Sequence, residues 1–70
     1  MEPTSLGTVV FYLPGPGYGY LRLHGSREEF YFRRRNLRVP VVRKGDLVRF
    51  VLRDGPQGYV ADGVELAGLA

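Results

Sequence analysis

The sequence predicts an all-β fold, a small closed barrel of five antiparallel strands, on the basis of three observations. No stretch of ten or more residues has apolar positions at helical spacing without an interrupting glycine or proline. Five short segments rich in β-branched and aromatic residues recur at intervals of roughly ten residues, with turn-forming residues between them. The chain of 70 residues is too short to fill a two-sheet sandwich. Closure leaves no strand edge exposed and lets one set of inward side chains serve every strand.

Each predicted strand ends where turn-forming residues begin. In chain order, the predicted strands are Gly7–Leu13, Tyr18–Leu23, Glu29–Arg33, Asp46–Arg53 and Gln57–Leu66. Prolines and glycines fill residues 14–17, where proline has no N–H to donate to a strand and glycine permits a positive φ angle. His24 belongs to the turn that joins the second strand to the third.

The longest connection lies between the third and fourth strands and covers Arg34–Lys44. Pro40 interrupts it, and the segment has room for one short helical turn. The segment 54–56 (DGP) predicts a hairpin turn, and Gly58 or Gly63 is expected to bend or bulge the last strand.

Alternation along the strands divides the side chains between an inner and an outer face. In the third strand Phe30 and Phe32 point one way and Tyr31 points the other. The predicted core consists of Val9, Leu21, Leu23, Phe30, Phe32, Val48, Phe50, Leu52 and Val64. We expect a single domain over residues 1–70, with its core between residues 7 and 66.

The outer face of the second and third strands is predicted to carry three tyrosines and two arginines. A short turn joins these strands, so they should pair and place Tyr18, Tyr20 and Tyr31 side by side with Arg22 and Arg33. Aromatic faces stack on unpaired bases with little regard to sequence, and guanidinium groups neutralise phosphates. Double-stranded DNA exposes no base faces to such a surface, so the pattern favours single-stranded nucleic acid as the ligand.

The same tyrosines have a second interpretation. Tyrosines on a strand surface also serve cross-strand packing or an interface between two copies of a chain. Three tyrosines, two arginines and a neighbouring glycine that lets a ligand approach the backbone exceed what packing requires, which favours nucleic-acid binding. The alternative is an interaction module whose tyrosine face mediates dimerisation or assembly. The expected oligomeric state is a monomer or a weak homodimer.

Composition and charge narrow the remaining classes of protein. The formal net charge is +3, nine of the ten basic residues are arginine, and eight of the ten lie between Arg33 and Arg53. Such a concentration of positive charge favours an anionic partner, with a solvated, soluble surface as the ordinary alternative. The chain has no cysteine and one histidine, which excludes disulfides and a structural zinc site, and no cofactor is expected. No nucleophile, acid–base pair or metal set is visible, so we expect no enzymatic activity.

Membrane insertion and export are not expected either. The longest apolar stretches cover only a few residues, and the start MEP lacks the basic and apolar regions of a signal peptide. We therefore expect a cytoplasmic protein with no membrane partner.

Five segments, in order, resemble the motifs of the cold-shock domain family of bacterial cold-shock proteins. Residues 7–12 (GTVVFY) resemble the opening G-x-V-x-W-F, and residues 16–21 (PGYGYL) and 30–34 (FYFRR) resemble the ribonucleoprotein motifs K-G-F-G-F-I and V-F-V-H-F. Residues 42–50 (VRKGDLVRF) resemble L-x-x-G-x-x-V-x-F, and residues 54–64 (DGPQGYVADGV) resemble G-x-x-G-P-x-A-x-x-V. The resemblance covers nearly the whole chain and depends on the order and spacing of all five segments.

The resemblance implies a five-stranded barrel of the oligonucleotide-binding (OB) type. Members of this family bind single-stranded RNA or DNA on an aromatic face and act as RNA chaperones or as regulators of transcription and translation. The family's stacking rings correspond here to Phe11, Tyr18, Tyr20 and Tyr31. Arg33 replaces a histidine of the motif and Arg34 a phenylalanine, which implies an exchange of aromatic contact for phosphate contact.

Other positions depart from the family pattern. Lysines beside the aromatic face correspond here to Val10 and Pro16, and an asparagine to Leu13. The phenylalanine of the family's long loop has no clear counterpart, the nearest position being Val39, and the loop is shorter. We therefore expect binding that is weaker, shorter in footprint, or shifted towards the arginines Arg35, Arg38 and Arg43. The complete set of candidate binding residues is Phe11, Tyr18, Tyr20, Arg22, Tyr31, Arg33, Arg34 and Arg38.

Overall fold

The computed structural model describes residues 3–67. Five strands are present: β1 (Ser5–Leu13), β2 (Tyr18–Leu23), β3 (Glu29–Arg33), β4 (Leu47–Gly55) and β5 (Gly58–Leu66). A 3-10 turn (Arg34–Asn36) follows β3, within the connection that was expected to have room for one short helical turn. Within residues 3–67, no helix is long and apolar enough to cross a membrane.

The strands close into a barrel in the order β1-β2-β3-β5-β4, with β4 returning to β1. This confirms the predicted small all-β barrel of five strands, and the closed form is consistent with an OB-type barrel. The predicted antiparallel pairing needs one correction, because β3 and β5 run parallel where Tyr31 lies opposite Val60. In a closed ring with an odd number of strands, neighbouring strands cannot all be antiparallel, so one pair must be parallel.

Four strand boundaries differ from the predicted ones. β1 begins at Ser5, before the predicted start, because its first residues pair with β4. Asp46 lies outside β4, since its carboxylate accepts a hydrogen bond from the backbone N–H of Arg43 at 2.9 Å and closes a turn there. The hairpin between β4 and β5 is tighter than predicted, because residues 54–55 still pair with β5 and residues 56–57 alone form the loop.

A bulge in β1 changes which of its side chains face the core. Val9 and Phe11 lie opposite consecutive residues of β2, so Val10 is an extra residue in the pairing. As a result Val9 and Tyr12 both face inward and are buried, although they are three residues apart. Phe11, which strict alternation from Val9 would place in the core, turns to the outer face.

The bulge expected in the last strand is present at Gly63. Arg49 and Val51 of β4 lie opposite Glu65 and Asp62 of β5, so β5 contains one residue more than its partner over this stretch. Gly63 has a φ angle of 57°, in the left-handed region where a side chain would be strained. The glycine therefore allows β5 to bend as it closes the barrel.

The interior of the barrel holds one apolar cluster. Its buried members are Val9, Tyr12, Leu21, Phe32, Val42, Val48, Phe50, Ala61 and Val64. The other predicted core residues, Leu23, Phe30 and Leu52, are partly buried and pack against this cluster. Tyr12 was not predicted there; its ring stacks on that of Phe32 with centroids 5.7 Å apart. The core thus uses the inner side chains of all five strands and leaves the outer ones for the surface.

Candidate functional site

Four aromatic rings lie in contact on the outer surface of β1, β2 and β3. Phe11 contacts Tyr18 and Tyr20, with ring centroids 6.1 and 5.7 Å apart. Tyr31 contacts the same two tyrosines, at 6.0 and 5.7 Å. Each ring therefore has two aromatic neighbours within the set. We call these four residues the aromatic cluster.

Strand register explains how the aromatic cluster is assembled. Tyr20 lies directly opposite Tyr31 across β2 and β3, and Tyr18 lies opposite Arg33. The prediction that the three tyrosines lie side by side on one outer face is thus confirmed. Phe11 reaches the same face only because of the bulge that precedes it in β1.

The rings of the aromatic cluster support one another without stacking flat. The angles between their planes run from 34° for Tyr18 and Tyr31 to 80° for Phe11 and Tyr18. Tilted and edge-to-face contacts are arrangements that aromatic pairs prefer. All four side chains are half-buried, so each keeps part of its surface exposed to solvent. The result is a continuous, mutually supported aromatic surface.

Arg33 places a positive charge at the edge of the aromatic cluster. Its guanidinium carbon lies 5.9 Å from the centroid of the Tyr31 ring, within cation–π distance. Among residues 3–67 no carboxylate lies within salt-bridge distance of Arg33. Its charge is therefore not offset by an ion pair with any described residue.

Arg22, the other arginine predicted on this face, is paired. Its guanidinium donates a hydrogen bond of 2.8 Å to the carboxylate of Glu29, which lies opposite it on β3. Both side chains are exposed, and ion pairs of this kind contribute at most about 1 kcal/mol to stability. Arg22 therefore lies on the predicted face with much of its charge offset by Glu29.

Arg34 holds the loop between β1 and β2. Its guanidinium donates hydrogen bonds to the backbone carbonyl oxygens of Pro14 and Gly15, and its backbone N–H donates to the carbonyl oxygen of Gly17 at 2.9 Å. Gly17 has a φ angle of 82°, and a Cβ atom there would lie 2.9 Å from the Arg34 guanidinium. Arg34 thus fixes the loop beside the aromatic cluster, in addition to any contact with a ligand.

Gly19, in β2, is required by the packing of the barrel. Gly19 is buried on the inner face of β2. A Cβ atom at Gly19 would lie 2.2 Å from the carbonyl oxygen of Phe11 and 2.9 Å from the Cα atom of Tyr12. The glycine is needed because the bulged part of β1 passes directly against it.

Arg38 and Val39 lie away from the aromatic cluster. Arg38 donates its backbone N–H to the carbonyl oxygen of Val64, and its side chain passes beside Gly63 of β5. Val39 packs partly buried against the core. Leu37 and Arg38, which follow the 3-10 turn, therefore lie beside β5 and not beside the aromatic cluster.

A fourth tyrosine, Tyr59, borders the aromatic cluster and was not among the predicted binding residues. Tyr59, in the β4–β5 hairpin, is 58% exposed. With Tyr20, Tyr31 and Arg33 it lines a groove of about 670 Å³, which we call the tyrosine groove. The parallel contact between β3 and β5 brings the hairpin beside Tyr31. Local alternation does not reveal this neighbour, because it depends on how the barrel closes.

A hydrogen-bond network fixes the 3-10 turn against β5. The side-chain oxygen of Asn36 accepts a hydrogen bond of 2.8 Å from the backbone N–H of Arg33, and its amide nitrogen donates one of 3.0 Å to Asp62. Arg53 donates a hydrogen bond of 2.8 Å to the other carboxylate oxygen of Asp62. These bonds from Asn36 and Arg53 hold the pKa of Asp62 below its ordinary value. The network anchors the backbone from which Arg33 extends.

The geometry thus brings together five predicted binding residues, the four of the aromatic cluster and Arg33. Arg22 lies on β2, and Arg34 is the first residue of the 3-10 turn that follows β3. Arg38 lies elsewhere, on the side of β5. No model of a known protein family matches the chain, and no curated protein matches it either.

Proposed function

We propose that this protein binds single-stranded nucleic acid by stacking unpaired bases on the aromatic cluster. The observation that supports this most strongly is the continuous contact among Phe11, Tyr18, Tyr20 and Tyr31 on the outer surface of a small OB-type barrel. Burial of four neighbouring rings in the core would be ordinary packing. Exposure of such a set on one face, with a cation beside it, matches what unpaired bases require.

The ligand is single-stranded because stacking requires base faces that are free of other bases. Each base stacked on an aromatic side chain contributes about 1–3 kcal/mol, with little dependence on base identity. Arg33, at the edge of the cluster, supplies a cation for the phosphate backbone. The proposed activity is therefore non-catalytic and broad in sequence.

The biological role that this activity supports is that of a cold-shock-type protein in the cytoplasm. Such a protein acts as an RNA chaperone or as a regulator of transcription or translation. The support is the motif resemblance over residues 7–66 together with the barrel fold, since no family model matches.

Tyr31→Ala tests the proposal at the residue that contacts two other tyrosines and Arg33. Fluorescence polarisation of a labelled, unstructured oligonucleotide should show binding weakened by roughly tenfold or more, the loss of about one stacked base. Tyr31→Phe keeps the ring and should bind nearly as the wild type does. Thermal unfolding should show that both variants fold. Equal affinity of wild type and Tyr31→Ala would contradict stacking at this position.

Salt dependence provides a further test of the same proposal. If about three phosphates are neutralised, the logarithm of the association constant should fall with the logarithm of salt concentration at a slope of roughly −2. A titration of the same oligonucleotide at several salt concentrations measures the slope. A slope near zero would show that the arginines do not contact phosphates.

One observation favours the second candidate function, an interaction module. Leu13 lies opposite Tyr18 at the edge of the aromatic cluster and is 41% exposed. An apolar side chain there suits burial against another protein surface better than contact with nucleic acid. Sedimentation velocity separates the candidates: a tight dimer that oligonucleotide does not dissociate supports the interaction module. A monomer that forms a complex with oligonucleotide supports nucleic-acid binding.

A further inference from the structure

A cleft rich in arginine lies on the β4–β5 side of the barrel. It encloses about 240 Å³, and four arginines line it: Arg35, Arg38, Arg49 and Arg53. The rest of its wall comes from β4 and β5, from Asn36 and Leu37 at the end of the 3-10 turn, and from Thr4. None of the four rings of the aromatic cluster borders it. In the barrel, β4 and β5 are the two strands that do not neighbour β2. We call this the arginine cleft, and it is a site separate from the aromatic cluster.

The arginine cleft carries an excess of positive charge. Two carboxylates, Asp62 and Glu65, face the four guanidinium groups in its lining. Asp62 accepts a 2.8 Å hydrogen bond from Arg53, whereas the contact between Arg49 and Glu65 is longer, at 3.4 Å.

Arg35 and Arg38 supply that excess. Among residues 3–67, neither side chain has a hydrogen bond or a carboxylate partner. Two guanidinium groups without partners beside an open cleft are suited to a phosphate, which accepts their hydrogen bonds and offsets their charge.

The arginine cleft and the tyrosine groove meet at the 3-10 turn. Arg35 and Asn36 line both depressions, so the surface between them is continuous. Asn36 is held in place by its hydrogen bonds to Asp62 and to the backbone of Arg33. The junction is therefore a fixed corner of the fold. Gly63 lines the cleft and has no side chain, which leaves space inside the cleft.

We propose that the arginine cleft binds phosphates of the same single strand whose bases stack on the aromatic cluster. The strand leaves the cluster through the tyrosine groove, crosses the corner at Arg35 and Asn36, and enters the cleft beside Arg38. This inference rests on the proposed function and extends it, because it gives the protein a second contact region and a longer footprint. Short strands then contact the cluster alone, and longer strands contact both regions.

The test compares two lengths of oligonucleotide, about 4 and about 12 nucleotides, within the roughly 4–16 that a single OB fold occupies. Arg38→Gln removes one unpartnered charge from the cleft. Arg27→Gln is the matched control, because Arg27 is exposed but lines neither the cleft nor the tyrosine groove. Fluorescence polarisation at several salt concentrations gives the affinity and the salt slope for each combination of protein variant and oligonucleotide. Thermal unfolding confirms that each variant is folded.

For the longer strand, Arg38→Gln should weaken binding by about two- to fivefold, the range for one solvated ion pair. It should also make the salt slope shallower by about 0.7, the loss of one phosphate contact. Binding of the shorter strand should not change, and Arg27→Gln should bind both strands as the wild type does.

Three results would overturn the inference. Arg38→Gln could leave the longer strand unaffected, Arg38→Gln could weaken both strands equally, or Arg27→Gln could weaken the longer strand as much as Arg38→Gln does. In each case wild-type binding of the shorter strand would leave the proposed function standing. Failure of the wild type to bind either strand would overturn the proposed function and this inference together.

Discussion

Gly19 couples the fold of the barrel to the position of the aromatic cluster. It lies on the inner face of β2, where the bulged part of β1 passes so closely that a Cβ atom would lie 2.2 Å from the Phe11 carbonyl oxygen. Any side chain here would push β1 outward and move the Phe11 ring with it. A single hydrogen atom in place of a side chain thus keeps one member of the cluster in contact with the tyrosines.

Gly19→Ala should therefore destabilise the protein by roughly 1–3 kcal/mol, the usual cost of an overpacked site. Urea unfolding followed by far-ultraviolet circular dichroism measures the change. Gly15→Ala is the matched control, because a Cβ atom at Gly15 meets nothing within 4 Å and its φ angle is not positive. Gly15→Ala should leave the urea concentration at the midpoint of unfolding nearly unchanged. Equal effects of the two substitutions would show that the close approach at Gly19 carries no strain.

At the scale of the strands, β2 and β3 could be predicted well and β1 only in part. The bounds of β2 and β3 match the prediction because simple alternation and a short turn determine them. Alternation fails in β1, since Val10 is an extra residue and reverses the faces of Phe11 and Tyr12. No feature of those residues marks the bulge; it arises from how β1 pairs with both β2 and β4.

The contacts made by the connecting segments were the hardest part to predict. Arg34 hydrogen-bonds to the β1–β2 loop and Arg38 lies beside β5, although both were grouped with the tyrosines as binding residues. Tyr59 was overlooked, although it borders the tyrosine groove. Each of these positions depends on contacts between residues far apart in the chain. The alternation of side chains along a strand and the residues typical of turns do not predict such contacts.

The network around Asp62 makes the stability of the 3-10 turn dependent on pH. Because folding lowers the pKa of Asp62, its ionised form stabilises the folded protein above the ordinary aspartate pKa of about 3.9. That contribution to stability is lost as the pH falls through the lowered pKa that Asp62 has in the folded protein. The Asn36 and Arg53 hydrogen bonds to Asp62 are what acidification weakens.

Asp62→Asn should lower the melting temperature at neutral pH and flatten its decline in acid, because the substituted amide does not titrate. Melting curves between neutral pH and about pH 3, below the ordinary aspartate pKa, measure both effects. Asp54→Asn removes the same charge from an exposed position of β4. Its melting temperature should fall on acidification as steeply as that of the wild type. An equally steep decline for Asp62→Asn and wild type would mean that other carboxylates cause the acid sensitivity.

In the molecule as a whole, closure of the barrel places the side chains that pack the core and those proposed to bind a ligand on opposite faces of the strands. The inner side chains of five strands form one core, which leaves the outer side chains free to form surfaces. The aromatic cluster occupies the β1–β2–β3 side, and the arginine cleft lies on the β4–β5 side. A chain of 70 residues can therefore carry both proposed contact regions on one core.

The distribution of charge over the molecule supports the same division. Arg22, Arg49 and Arg53 each pair with a carboxylate on a neighbouring strand. Arg33, Arg35 and Arg38 have no such partner among residues 3–67, and they follow one another from the edge of the aromatic cluster to the cleft. Three arginines without a carboxylate partner among the described residues thus lie along one path over the surface.

The central claim, that bases stack on the aromatic cluster, is tested most directly by the ring protons of the five tyrosines in an NMR titration. On addition of an unstructured oligonucleotide, the ring resonances of Tyr18, Tyr20 and Tyr31 should shift through the ring currents of stacked bases. Tyr12, buried in the core, should not shift and serves as the internal control. Binding without shifts at those three rings, or no binding at low salt, would contradict the claim.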